Sequence, residues 1–249
     1  MSIKVAKLLT AGAFLFACLF MAATARSQEK VDVALVLAVD HSSSVDPREW
    51  QLQLQGYAEA FRSEFVKASI VSGREKKVAV TMFRWSNREL QEILVPWTVL
   101  SSADDADRFA DAIWQFSAIP YLSGTCISSA MAFAGGRLEE MPFEARRHVI
   151  DVSGDEPEAC DAGEPPARDV RDMLVQKGIQ INGLPIVGDP VKGYVQGVPY
   201  QSNVGDDTTR FYRENVIGGP GAFLVVAKGF ENFGEAVEMK LMLELSSLQ

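Results

Sequence analysis

Residues 31–39 (VDVALVLAV) do most to limit what this chain can fold into. Apart from Asp32 the run is apolar and rich in Val, with neither a strand's alternation nor a helix's spacing. Such a run is a central strand buried on both faces, so helices must cover both sides of its sheet. The following sequence supplies them. Pro47 opens a helical stretch to about residue 70, where Leu52, Leu54, Tyr57, Ala58, Phe61 and Phe65 recur at roughly helical spacing. Residues 77–85 and 89–95 read as strands joined by the tight turn Ser86-Asn87, and so short a link makes them an antiparallel hairpin.

Helices are expected at 103–116, 127–138, 166–177, 207–215 and 231–245, and strands at 148–153, 179–186 and 222–227. A polar Gly/Pro-rich loop fills 188–203. Strands alternating with helices predict one α/β domain. Its six-stranded sheet would be mainly parallel, with one antiparallel edge strand and helices on both faces. With no repeat and no linker, that domain spans residues 26–249.

Residues 1–25 are set apart as an address. Lys4 and Lys7 precede an uncharged apolar run from Leu8 to Ala23, and Ala23-Thr24-Ala25 gives the small-x-small pattern of a cleavage site. The run is short for a membrane span, which needs ~20 apolar residues. A Sec-type signal peptide is therefore expected, an uncleaved anchor being the alternative, with a periplasmic or secreted mature chain that no longer touches membrane. Formal charge is −9, from 33 acidic and 24 basic residues, and cleavage would remove two lysines and no acid. Such an excess of carboxylates argues against nucleic acid as partner and is compatible with cations.

In an open α/β sheet, ligands gather beyond the carboxyl ends of the strands. Three loops there carry Asp40-His41-Ser42-Ser43-Ser44, Gly124-Thr125 and Ser153-Gly154-Asp155. Carboxylates and hydroxyls are hard donors that suit Mg²⁺, Mn²⁺ or Ca²⁺ rather than zinc or copper. The competing reading is that Asp40 and the serines merely cap the helix starting near Pro47.

The D-x-S-x-S run at Asp40, Ser42 and Ser44, with a later Thr125 and Asp155, resembles the metal-ion-dependent adhesion site of von Willebrand factor A (vWA) domains. The order of elements resembles that Rossmann-like fold too. More narrowly, ALVLAVDHSSSVD, VPWT, GTCIS, RRHVIDVSGD, GIQINGLPI and VIGGPGAF resemble an uncharacterised exported bacterial family, domain of unknown function 1194. The resemblance implies that Ser42, Ser44 and Thr125 contact a divalent ion, Mg²⁺ foremost, through hydroxyls. Asp40 and Asp155 would stand close, mostly through water. An ion so held keeps its positive charge and an open position for a partner protein's carboxylate.

This chain carries Glu156 where A domains usually have Gly, which restricts that turn. Asp151 rivals Asp155 but lies inside its strand, facing the helix layer as a satisfied buried carboxylate. If the metal loops meet, Cys126 and Cys160 sit on neighbouring loops, and in an exported chain they are expected to form a disulfide. Tyr194, Val198 and Tyr200 would add an apolar grip on the same rim.

Enzymatic readings find little support. The bases His41 and His148 accompany no G-x-S-x-G elbow, and no G-x-x-x-x-G-K nucleotide loop occurs. The leading expectation is a non-enzymatic, metal-dependent protein-binding module of adhesion type. A metal-free structural or envelope-assembly scaffold ranks second, and a hydrolase third.

Overall fold

The structure, a computed structural model, describes residues 28–116, 124–188, 192–195, 198–201 and 204–246, with the side chains of 192–206 left aside. The expected leader, residues 1–25, and the side chains of Tyr194, Val198 and Tyr200 lie outside the described residues.

The central strand β1 (Glu29–Asp40) is flanked by β2 (Val78–Trp85) and β4 (Phe143–Gly154), both parallel to it. β3 (Gln91–Leu100) pairs antiparallel with β2 at one edge; β5 (Ile179–Val187) and the two-residue β8 (Ala227–Lys228) continue the parallel set at the other. The order β3-β2-β1-β4-β5-β8 realises the expected six-stranded sheet. Each face is covered. Val33, Leu35, Leu37 and Val39 point into one core, with α1 (Pro47–Arg62), α3 (Ala103–Ile113) and α7 (Phe233–Leu245). Ala34, Val36 and Ala38 point into the other, with α4 (Ile127–Glu139) and α5 (Ala167–Gln176). Period-two alternation of a strand buried on both sides explains why residues 31–39 read as one apolar run.

The structure differs from the sequence reading at several joints. The helix expected over 47–70 breaks at Ser63, whose hydroxyl accepts from Phe65 N–H (3.2 Å) and starts α2 (Glu64–Ile70). A serine that bonds the backbone locally competes with helix continuation. Phe65, counted with the apolar stripe, is 66% exposed as a result. The strand expected at 222–227 shrinks to β8, because Gly219 and Gly221 with φ of 91° and 74° keep the preceding chain in turns. Within the expected loop, β6 (Lys192–Val195) pairs antiparallel with β7 (Val198–Gln201). After α6 (Val204–Phe211) the chain widens into a π-turn, Tyr212–Val216, where a plain short helix was expected.

Asp151 lies on the α7 side of β4, fully buried, with Lys240 Nζ 2.7 Å from its Oδ1. It is a buried carboxylate as expected, with its charge met by Lys240, although its Oδ2 has no hydrogen-bond partner among the described residues.

Candidate metal centre

The rim loop after β1 is fastened before any ligand is considered. His41 N–H donates to Trp85 O (2.8 Å), carrying the β1–β2 pairing one residue past the strand. The His41 ring lies flat on Trp50, with centroids 4.0 Å apart. Gln53 Nε2 donates to Asp40 O (3.0 Å), and Ser42 N–H to Asp40 Oδ1 (2.7 Å).

Asp46, not Asp40, caps α1: its carboxylate accepts from Arg48 N–H (2.7 Å) and Glu49 N–H (2.8 Å), while Asp46 N–H donates to Glu49 Oε2 (2.8 Å). This reciprocal box satisfies the helix start without the D-x-S-x-S residues.

Four of the five expected residues form one chain of hydrogen bonds. Ser44 Oγ donates to Asp155 Oδ1 (2.7 Å), so Ser42 Oγ, 2.9 Å from Ser44 Oγ, is left as the donor to Ser44. Asp40 and Ser42 are buried, Ser44 and Asp155 half-buried. Thr125 is buried and held by its backbone, exchanging two hydrogen bonds with Ala159 (3.3 and 2.7 Å). Its neighbour Cys126 donates to Ser86 O (2.8 Å) at the end of β2. Thr125 thus sits on the same rim, although among the described residues no hydrogen bond joins its hydroxyl to the other four.

Two carboxyls lie close enough here for the charge of one to raise the proton affinity of the other. Burial, then the charge of Asp155, pushes the Asp40 carboxyl well above its ordinary range. Burial pushes Asp155 up to about 6, with Glu156 and Glu49 adding to the rise and the Ser44 hydrogen bond opposing it. Asp40 Oδ2 is buried with no hydrogen-bond partner among the described residues. A buried carboxylate oxygen left unpaired is costly unless a cation or donor meets it. The donor set is all oxygen and holds an orphaned, buried carboxylate atom. It fits a hard divalent ion.

Glu156 is exposed and has no left-handed φ, since Lys76 is the one non-glycine with positive φ among the described residues. The turn therefore tolerates a side chain, and Glu156 acts on Asp155 by its charge.

Cys126 and Cys160 are bonded, tying the start of α4 to the loop that follows Asp155. Between them lies Glu158, which the sequence reading missed. Its Oε1 accepts from Ser128 N–H (2.7 Å) and its Oε2 from Ala167 N–H (2.9 Å), so one carboxylate caps both α4 and α5. Cys126, Glu158 and Cys160 lie close enough together to suggest metal ligands, but the two sulfurs are spent on each other.

Two further residues reach the site from the far side of the sheet order. Thr208 Oγ1, on α6, donates to Asp155 O (3.1 Å). Tyr212, four residues on, is fully buried, and burial together with the charges of Asp40 and Asp155 raises its phenol well above the ordinary range. Neither was legible in the sequence, where both belong to an unremarkable short helix.

The two histidines are poor bases in this setting. Burial, then the charge of Arg84, lowers His41 to about 4, and burial also lowers His148 within β4.

Residues 30–249 match the family described as "Protein of unknown function (DUF1194)". The chain belongs to that family. Its fold is vWA-like. Proximal thread matrix protein 1 from the mussel byssus superposes with a TM-score of 0.57 at 14% identity, covering 87% of this chain and 47% of that one. A second structure of that protein is described as having a zinc-occupied MIDAS motif, the metal-ion-dependent adhesion site (TM-score 0.57, 16% identity, 86% and 46% covered). This DUF1194 chain thus spans about half the length of the mussel protein.

An aerotolerance-related membrane protein from Bacteroides fragilis NCTC 9343 gives a TM-score of 0.50 at 17% identity, over 84% of this chain and 98% of that one. The pilus adhesin SpaC from Lactobacillus rhamnosus GG gives 0.52 at 12% identity, over 88% and 30%. At such identities the likeness is one of fold. No curated protein matches the chain. Among the described residues no helix is long and apolar enough to cross a membrane.

Proposed function

We propose that this DUF1194 chain is a metal-dependent, adhesion-type protein-binding module. It presents a divalent cation, Mg²⁺ foremost, to a carboxylate of a partner protein. The observation that carries the reading is the buried, unpartnered Asp40 Oδ2 beside Asp155, at the end of the hydrogen-bonded chain through Ser42 and Ser44. Ser42, Ser44 and Thr125 would hold the ion through hydroxyls, with Asp40 and Asp155 balancing part of its charge. The ion's contribution is a positive centre able to bind an incoming anionic oxygen.

The surrounding residues hold the frame. The His41–Trp50 stack and the Gln53 hydrogen bond fix the first loop, and the Thr125–Ala159 pairing with the disulfide fixes the other two. The zinc-occupied motif of the mussel protein and the adhesin description of SpaC support this reading by analogy of fold. No catalysis is assigned: His41 is a weak base pressed against Trp50. Export by the N-terminal leader, a periplasmic or extracellular location, and a partner that is neither nucleic acid nor nucleotide complete the proposal.

The test is retention of proteins on immobilised chain in Mg²⁺ and their release by EDTA, beside a Ser42→Ala surface. Proteins held by the wild type in Mg²⁺, released by chelator and absent from the variant are expected. Retention that survives EDTA would overturn the reading.

A further inference from the structure

The π-turn brings a phenol against the metal loops with nothing described to bind it. Tyr212 is fully buried, and its hydroxyl has no hydrogen-bond partner among the described residues. The reason for the close approach is Gly154. A Cβ there would stand 2.6 Å from Tyr212 Oη and 2.8 Å from Asp40 Oδ2. Both orphaned oxygens therefore pack against Gly154, where even a methyl group would collide with them.

The segment carrying the phenol is firmly held. One helical turn earlier, Thr208 Oγ1 bonds Asp155 O (3.1 Å), so one short stretch of chain holds Asp155 and packs with Asp40 around Gly154. Ile217 N–H closes the π-turn on Tyr212 O (3.0 Å), and Arg171 Nη1 donates to Ile217 O (2.8 Å) behind it. Insertions of this type often serve to aim one side chain. Two buried polar atoms left unsatisfied are a cost that the fold carries without return unless a ligand meets them.

We propose that Tyr212 is a positioning residue of the metal centre, whose hydroxyl and Asp40 Oδ2 together complete the hydrogen-bond shell of a hydrated divalent cation. Tyr212 thereby favours an ion that keeps its water over one that sheds it. Mg²⁺ dehydrates reluctantly and Ca²⁺ readily accepts protein oxygens, so the residue sets selectivity between them. This inference rests on the metal-site reading above and adds to it a residue outside the five ligands.

Tyr212→Phe keeps the ring and removes only the oxygen. Metal-free wild type, Tyr212→Phe and Ser42→Ala are compared by urea denaturation, then titrated with Mg²⁺ and with Ca²⁺. The metal-free phenylalanine variant is expected to be at least as stable as the wild type, because an unpartnered buried hydroxyl has been removed. Its Mg²⁺ affinity is expected to fall ~10-fold, as for loss of a good hydrogen bond, with Ca²⁺ affinity changed far less. A structural hydroxyl would give the opposite pattern.

Loss of metal-free stability with an unchanged Mg²⁺/Ca²⁺ ratio would overturn the inference. So would wild-type Mg²⁺ affinity in Tyr212→Phe while Ser42→Ala binds none, a result that leaves the site assignment standing. Absence of ion binding by the wild type would remove both.

Discussion

Two pairs of carboxylates lie within this vWA-like domain, and they are treated differently. The inner pair, Asp151 and Glu244, sits between the sheet and α7 with a lysine between them. Lys240 Nζ is 2.7 Å from Asp151 Oδ1 and donates to Glu244, while Asn182 Nδ2 donates to Glu244 Oε1 (2.9 Å). The outer pair, Asp40 and Asp155, stands at the strand ends with no lysine or arginine paired to either among the described residues. It is met instead by serine hydroxyls and backbone amides. The inner pair carries its cation in the chain; the outer pair has none of its own among the described residues. The difference supports the proposed metal site at the rim and makes the inner cluster part of the fold.

The largest effect is expected where the inner cluster is broken. Lys240→Met would leave two buried acids without a counter-charge, a change that typically costs about 3–5 kcal/mol. Urea denaturation should give a midpoint lowered accordingly. A loss under 1 kcal/mol would mean that the inner acids do not need their lysine, and the contrast would fail.

Next comes the bond that braces the rim. Replacing Cys126 and Cys160 by Ser opens a loop with a sequence separation of 34, for which chain entropy gives about 3–4 kcal/mol. Mg²⁺ affinity should fall with it, because the Thr125–Ala159 pairing loses its covalent neighbour. A destabilised double variant with wild-type Mg²⁺ affinity would separate the disulfide from the site.

A smaller effect separates the members of the inner pair. Burial, then the charge of Asp151, pushes Glu244 up to about 7 from an ordinary 4.5, against the opposing pull of Lys240. The folded state therefore favours the protonated carboxyl. That contribution is fully present below pH 4.5 and is lost as pH rises through 7. Glu244→Gln, neutral throughout, should flatten the stability profile between pH 4.5 and 7 and be more stable than wild type at pH 8 by ~2 kcal/mol. Parallel profiles for the two proteins would show that Glu244 ionises freely in the fold.

The same comparison shows which parts of the molecule were legible in its sequence. The clustering of the outer residues was, because they lie in short loops just past apolar strands, where Asp40, Ser42 and Ser44 stand outside the hydrophobic pattern. The sheet was legible for a similar reason, since residues 31–39 admit few other folds. The cysteines needed only the rim assignment to be paired.

The inner cluster was half legible. Asp151 within an apolar strand announces a buried acid, but its partner is a lysine 89 positions later on the last helix. Lys240 among apolar neighbours was a signal that went unused. Tyr212 gave no signal, because a π-turn has no spacing of its own to read, and Thr208 is a lone hydroxyl on an ordinary short helix. Glu158 is a cap shared by two helices, and local patterns describe only one helix at a time.

On the proposed reading Asp40, Ser42, Ser44, Thr125 and Asp155 bind a divalent cation, and calorimetric titration of Mg²⁺ into wild-type and Ser42→Ala protein at neutral pH is the decisive test. Saturable binding at one site is expected in the wild type and none in the variant. Equal binding by both, or no binding by the wild type, would contradict that reading.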